Sequence, residues 1–135
     1  MEWSFHSNQP IYTQLIEQLT LAILSGEYPT GGKLPAVREL AAEAGVNPNT
    51  MQRALAQLEQ TGLLYTRRTS GRFVTEDETV IQEARLNLAR ERAEEFLRAM
   101  AQLGYDRQAA LQLLRGGEES DAHGGSDLSQ PDEIL

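Results

Sequence analysis

A mainly α-helical fold with one small β-hairpin is predicted by three features of the chain. The first is the helix expected over 47–61. Asn47 is a natural N-cap, since its amide oxygen accepts a first-turn N–H left without a helical partner. Pro48 suits the first helical position, and Gly62 suits the left-handed stop. The second is its setting. A shorter helical pattern and a tight Gly45-Val46 turn precede it, and two strand-like runs follow. The third is an apolar repeat at Leu86, Ala89, Ala93, Phe96, Met100 and Leu103, in steps of three and four residues. Helix, turn, helix and hairpin in that order give a winged helix-turn-helix. The repeat gives a long helix behind it. The expected architecture is therefore an N-terminal winged helix-turn-helix at 1–75, a helical dimerisation element at 76–115 and a disordered acidic tail at 116–135.

The elements follow in chain order. Trp3 and Phe5 alternate with polar neighbours and are expected to pack an N-terminal arm. Pro10 opens a helix to Leu24, with Ile11, Leu15, Leu19, Ala22 and Ile23 on its apolar face. Ser25-Gly26 ends it. Residues 27–35, with Pro29, Gly31, Gly32 and Pro35, form a loop from which Leu34 reaches the core. Gly31-Gly32-Lys33 resembles part of a phosphate loop, but the full Gly-x-x-x-x-Gly-Lys-Ser/Thr pattern is absent. Residues 36–44 form a short helix with Val37, Leu40 and Ala41 inward. Arg38 lies in its first turn, where the helix dipole disfavours a cation. A DNA phosphate and a neighbouring carboxylate such as Glu39 both remain open as its partner.

In the 47–61 helix, Met51, Ala54, Leu55 and Leu58 share one side. Asn47, Asn49, Thr50, Gln52 and Arg53 offer amide, hydroxyl and guanidinium groups elsewhere on its first two turns. These groups hydrogen-bond to base edges and phosphates, and an amide on adenine or a guanidinium on guanine discriminates by about 1–3 kcal/mol. Two short strands, 63–67 and 72–75, follow. Gly71 closes the turn between them, and Arg67, Arg68 and Arg72 cluster at the tip. Arginines at a hairpin tip suit a minor groove or a phosphate backbone.

From Glu76 the composition changes. Glu76-Asp77-Glu78 is a favourable N-terminus for a helix running to Leu103. Its heptad seam carries the expected dimer interface, Leu86, Ala89, Ala93, Phe96, Met100 and Leu103. Val80, Ile81, Ala84 and Leu88 add a second strip. Asp106 N-caps a last helix to Leu114, with Ala110, Leu111 and Leu114 available to fold back. A helical hairpin this small makes a core most economically with a second copy.

The 135 residues carry a formal charge of −8, but its distribution matters more than its sum. Residues 1–75 hold six Lys/Arg and six Asp/Glu, whereas 76–135 hold six and fourteen. The acid thus lies outside the reading head. Without cysteine there is no disulfide framework and no thiolate chemistry. His6 and His123 stand alone, without metal-ligand spacing. No Ser/His/Asp set can be assembled, so neither enzyme activity nor a cofactor or metal is expected. No apolar run approaches the roughly 20 residues of a membrane span, and no signal peptide is evident. A cytoplasmic protein is expected.

The stretch from Pro10 to Thr75 resembles the winged domain of GntR-type bacterial transcription regulators. The residues that carry the resemblance include Pro10-Ile11-Tyr12, Lys33-Leu34-Pro35-Ala36-Val37-Arg38-Glu39-Leu40-Ala41, Val46-Asn47-Pro48-Asn49-Thr50, Arg53-Ala54, Gly62-Leu63-Leu64 and Gly71-Arg72-Phe73-Val74. The Asn-Pro-Asn-Thr start and the short helical C-terminal part look like the YtrA-type branch. The resemblance implies DNA contacts from Arg38, Asn47, Asn49, Thr50, Gln52, Arg53, Arg68, Gly71 and Arg72, and the arginine cluster at the hairpin tip adds Arg67. The leading reading is a homodimeric repressor on double-stranded operator DNA, with an inverted repeat, and whether a small-molecule effector acts on it is left open. Thr69 stands where the family wing has glycine, and Ser70 where lysine is common. A winged domain used for protein contacts is the alternative, and the net acidity is its support.

Overall fold

The computed structural model describes residues 1–124. Five helices and a two-stranded sheet follow in the order α1 (Ile11–Leu24), α2 (Val37–Ala44), α3 (Pro48–Gln60), β1 (Leu64–Arg67), β2 (Gly71–Val74), α4 (Glu78–Gln102) and α5 (Arg107–Gly124). The expected mainly α fold with a β-wing is the one observed. Two compact units divide the chain. One spans Met1–Asn87 and the other begins at Leu88. The division therefore falls within α4, not at the expected 75/76. Its cause is apolar: Ile81 is buried in the winged core, and Val80 and Ala84 pack against it. The first turns of α4 belong to the head.

In the winged unit α3 packs against α1, α2 and β1. Its fully buried side, Met51, Ala54, Leu55 and Leu58, joins Leu15, Leu19 and Ile23 of α1, Leu40 and Ala41 of α2, and Leu64 and Val74 of the sheet. Leu34 plugs this core from its loop, as expected. Asn47 caps α3 by accepting from Asn49 N–H at 2.7 Å, and Pro48 occupies the first turn. Gly62 follows at φ +91°. The Asp77 carboxylate caps α4, accepting from Thr79 N–H at 2.9 Å.

The antiparallel wing pairs Leu64 with Val74 and Arg67 with Gly71. Residues 31–34, expected as plain loop, lie along the free edge of β2. Gly31 N–H donates to Val74 O, Val74 N–H to Gly32 O and Leu34 N–H to Arg72 O, each at 2.9 Å. The hairpin thus gains a third backbone partner. The Thr69 departure does not distort the tip. Ser70 N–H donates to Arg67 O at 2.9 Å, and the positive φ of 109° falls on Gly71. A three-residue loop closed by a residue of positive φ is a common hairpin connection.

The N-terminal arm is strapped to α1. Buried Gln14 donates to His6 O and Gln9 O, both at 2.8 Å, and accepts from His6 N–H at 3.0 Å. Trp3 and Phe5 stack at 6.2 Å and pack on the core.

In the second unit, Asp106 N-caps α5 by accepting from Ala109 N–H at 2.8 Å. Ala110 is fully buried and Leu111 half-buried, whereas Leu114, expected inward, is exposed. The α5 backbone continues to Gly124, past the expected end at Leu114. A helix tolerates the Gly116-Gly117 pair at about 1 kcal/mol per glycine relative to alanine. The tail expected at 116–135 overlaps this helix at 116–124, and the rest of the tail lies outside the described residues. Among the described residues no helix is long and apolar enough to cross a membrane.

Because Leu55 is in the middle of the α3 contacts and is only 1% exposed, Leu55→Ala should lower unfolding free energy by about 2–5 kcal/mol. Urea denaturation followed by circular dichroism measures this. An unchanged midpoint would show that α3 is not the centre of the core.

Candidate nucleic-acid interface

The side of α3 opposite the core is the surface to examine. At roughly 100° per residue, Asn49, Arg53 and Ala56 fall opposite Met51, Ala54, Leu55 and Leu58. Asn49, Gln52 and Arg53 are exposed, and Thr50 is half-buried. Asn47 is exposed too, but its Oδ1 is committed to the cap. The cap takes up none of its amide N–H donors.

Two contacts bracket this face. On the α1 side, the Arg53 guanidinium lies 4.5 Å from the centre of the Tyr12 ring. On the wing side, Glu59 of α3 accepts at one carboxylate oxygen from Arg72 Nε, at 3.0 Å, and from Thr66 Oγ1. The Arg72 side chain is only 17% exposed. This differs from the expectation of a free cation at the wing tip. Arg72 is partly consumed as a brace between helix and hairpin, because Glu59 emerges from α3 toward β2.

The other wing cations stay outward. Arg68 is exposed in the turn. Arg67 is exposed and lies over a stacked aromatic pair, 5.8 Å from the Tyr65 ring and 5.2 Å from the Phe73 ring. Tyr65 and Phe73 are cross-strand partners with ring centres 5.7 Å apart. Gly71 sits beneath the Lys33 stem: a Cβ there would come within 3.0 Å of Lys33 Cε.

Arg38 is exposed on α2. Its alternative partner, Glu39, instead accepts from Ala36 N–H at 3.3 Å and so helps cap the helix. The start of α2 and the wing flank an open groove of about 770 Å³, lined by Lys33, Ala36, Glu39, Thr66, Ser70 and Arg72. Lys33 is the residue that sequence reasoning missed. Its Gly-Gly-Lys setting drew attention as a failed phosphate loop, whereas the bridge from Lys33 to Phe73 sets it beside the wing. Only the long-range pairing of 31–34 with β2 reveals this.

Of the interface positions expected on α4, Leu86, Phe96 and Leu103 are 50%, 40% and 72% exposed. Ala89 and Ala93 are exposed and Met100 is half-buried.

A bracketed helix with exposed amides and guanidinium, beside a basic hairpin, carries the donors and positive charge that a polyanion attracts. Residues 11–74 match the model of the bacterial regulatory proteins, gntR family. The chain belongs to that family. YhcF of Bacillus subtilis, an uncharacterized HTH-type transcriptional regulator, is 38% identical over 115 residues, 85% of this chain and 95% of YhcF. The HTH-type transcriptional repressor YtrA of Bacillus subtilis is 36% identical over 92 residues, 67% of this chain and 71% of YtrA. Among solved structures, a GntR family transcriptional regulator from Listeria monocytogenes superposes with a TM-score of 0.72 at 37% identity, covering 83% of this chain and 98% of its own. The DNA-binding domain of AraR, in complex with an operator, superposes with a TM-score of 0.51 at 30% identity, covering 56% of this chain and 96% of that domain. The GntR winged helix is thus common to all these comparisons, and the likeness to YhcF and the Listeria regulator extends into the C-terminal helices.

The brace is a testable part of this GntR head. Glu59→Ala should cost about 1 kcal/mol, less than a fully buried charged hydrogen bond because both groups are partly solvated. It should also speed amide exchange at Thr66, Arg72 and Phe73. Exchange rates equal to those of the unaltered protein would mean that the wing is held by its backbone alone.

Proposed function

We propose that this GntR-family transcriptional regulator is a homodimeric repressor that reads an inverted-repeat operator, and that it is not an enzyme. The observation that carries this reading is the outward face of α3, where Asn49, Gln52 and Arg53 are exposed between the Tyr12 contact and the Glu59–Arg72 brace. A helix presented in this way enters the major groove, and its amides match the donor and acceptor edge of adenine. Thr50 and the Asn47 amide add donors at the helix start. Arg38, Arg67, Arg68 and Lys33 supply phosphate contacts on the flanks, and Gly71 lets the wing approach closely. Placing the protein with the YtrA-type branch accords with its likeness to YtrA over 92 residues.

A single head reads few base pairs. Two heads related by a twofold axis would read half-sites about one helical turn, roughly 34 Å, apart. The α4 residues Leu86, Ala89, Ala93, Phe96, Met100 and Leu103 supply the pairing surface. They recur at steps of three and four and carry the large exposed apolar side chains Leu86, Phe96 and Leu103. A contiguous apolar strip of this kind marks an association surface. Repression would follow from occlusion of a promoter by the bound dimer.

The deciding experiment is fluorescence anisotropy on the protein's own upstream DNA, over a salt series with scrambled duplex as competitor. Tight binding that scrambled DNA does not displace, with affinity falling steeply as salt rises, is the expected result. Arg53→Ala should weaken it about tenfold or more while the dimer persists. Indiscriminate binding, together with a random-sequence selection that enriches nothing, would favour a protein-contact module instead. Phe96→Asp should convert the dimer to monomers of weak DNA affinity, as measured by sedimentation. An intact dimer in that variant would remove α4 from the interface.

A further inference from the structure

Arg53 and Arg72 project from opposite edges of the same surface, yet they are held by different chemistry. Arg72 donates to a carboxylate, so its charge is largely cancelled. Arg53 instead rests on the face of the Tyr12 ring at 4.5 Å. Among the described residues it has no carboxylate partner. A guanidinium held over an aromatic ring keeps its full charge, and the ring takes up none of its N–H donors. The ring therefore restricts the side chain without occupying a donor. Tyr12 is itself fixed: it is in the first turn of α1, half-buried, and packed against the core that Leu15 and Leu19 share with α3. Arg67 on the wing is placed in the same way, over Tyr65 and Phe73.

We propose that Tyr12, an α1 residue outside the helix-turn-helix, is a positioning residue for DNA recognition, holding the Arg53 guanidinium edge-on to the duplex so that it meets a phosphate at the rim of the major groove. The proposal rests on the reading of α3 as the DNA-facing helix. Its physical content is pre-organisation. An arginine already restricted loses less side-chain freedom on binding. The Tyr12 hydroxyl has no part in this, so phenylalanine should serve equally well.

The test is a double-mutant cycle on a duplex enriched by the unaltered protein from random sequence. Tyr12→Leu should weaken binding about fivefold, the scale of an exposed cation–ring contact. Tyr12→Phe should stay within about twofold of the unaltered protein. In an Arg53→Gln background Tyr12→Leu should have no further effect. In the DNA-free protein, the Arg53 Nε–Hε NMR resonance should be shifted upfield by the ring current, keep that shift in Tyr12→Phe and lose it in Tyr12→Leu. If Tyr12→Leu melts early, Tyr12→Met replaces it in the cycle. Equal losses in both backgrounds, or Tyr12→Phe as damaging as Tyr12→Leu, would overturn the proposal. So would an unshifted Arg53 resonance in the unaltered protein, and that result would leave the DNA reading standing. A selection that enriches nothing would overturn both.

Discussion

The burial of one side of α3 is the constraint on which everything else depends. Met51, Ala54, Leu55 and Leu58 fit into a core built from α1, α2, the wing and the start of α4. Removing four apolar side chains from water fixes the rotation of the helix about its axis, since any turn of the cylinder would expose them. The outward direction of Asn49, Gln52 and Arg53 is therefore a by-product of packing. On the proposed reading of α3 as the DNA-facing helix, the same helix is both the centre of the core and the recognition surface. A substitution that loosens the core also blurs the aim of the polar side chains. The edge contacts from Tyr12 and from Arg72 to Glu59 act on a helix whose setting is already decided.

Electrostatics are arranged locally in the same way. The whole chain is acidic, but the exposed cations of the head gather around α3, α2 and the wing, while ten of the twenty carboxylates follow Asn87, outside the winged unit. At physiological ionic strength fields fade over about 8 Å. Acid more than a few such lengths away in space has little influence on an approaching phosphate. The sign of the local surface outweighs the net charge when the two disagree.

Much of this was legible in the sequence because its causes are local. Asn47, Pro48 and Gly62 declare the ends of α3 through backbone chemistry within a few residues. The three-and-four spacing of the apolar residues declares its buried side. Leu34 announced itself as the one aliphatic side chain among the glycines and prolines of its loop. What stayed hidden depends on parts of the chain distant in sequence. Arg72 looks like a free wing cation until Glu59, thirteen residues earlier, is seen to meet it. Lys33 gains its place only when 31–34 pair with β2. The unit boundary at Asn87 could not be read from the composition change at 76, because Ile81 is apolar on either account and only packing shows which core it joins. The outward Leu114 and the continuation of α5 to Gly124 were likewise beyond what helix-end signals near Leu114 convey.

The strand-like pairing of 31–34 has a bearing on how the chain acquires its shape. An isolated two-stranded hairpin is marginal in water. Here its outer edge is completed by residues made some forty positions earlier, through hydrogen bonds from Gly31 to Val74 and from Leu34 to Arg72. During synthesis α1, α2 and α3 emerge with the amides and carbonyls of 31–34 still bonded to water. Closing that long loop has to await Val74, so the wing and the loop after α1 consolidate together and late. Until then the core lacks its lid of Leu64 and Val74, and the half-made head exposes apolar side chains that a finished one conceals. The ribosome-bound fragment, more than the released protein, is where this fold is open to mispairing.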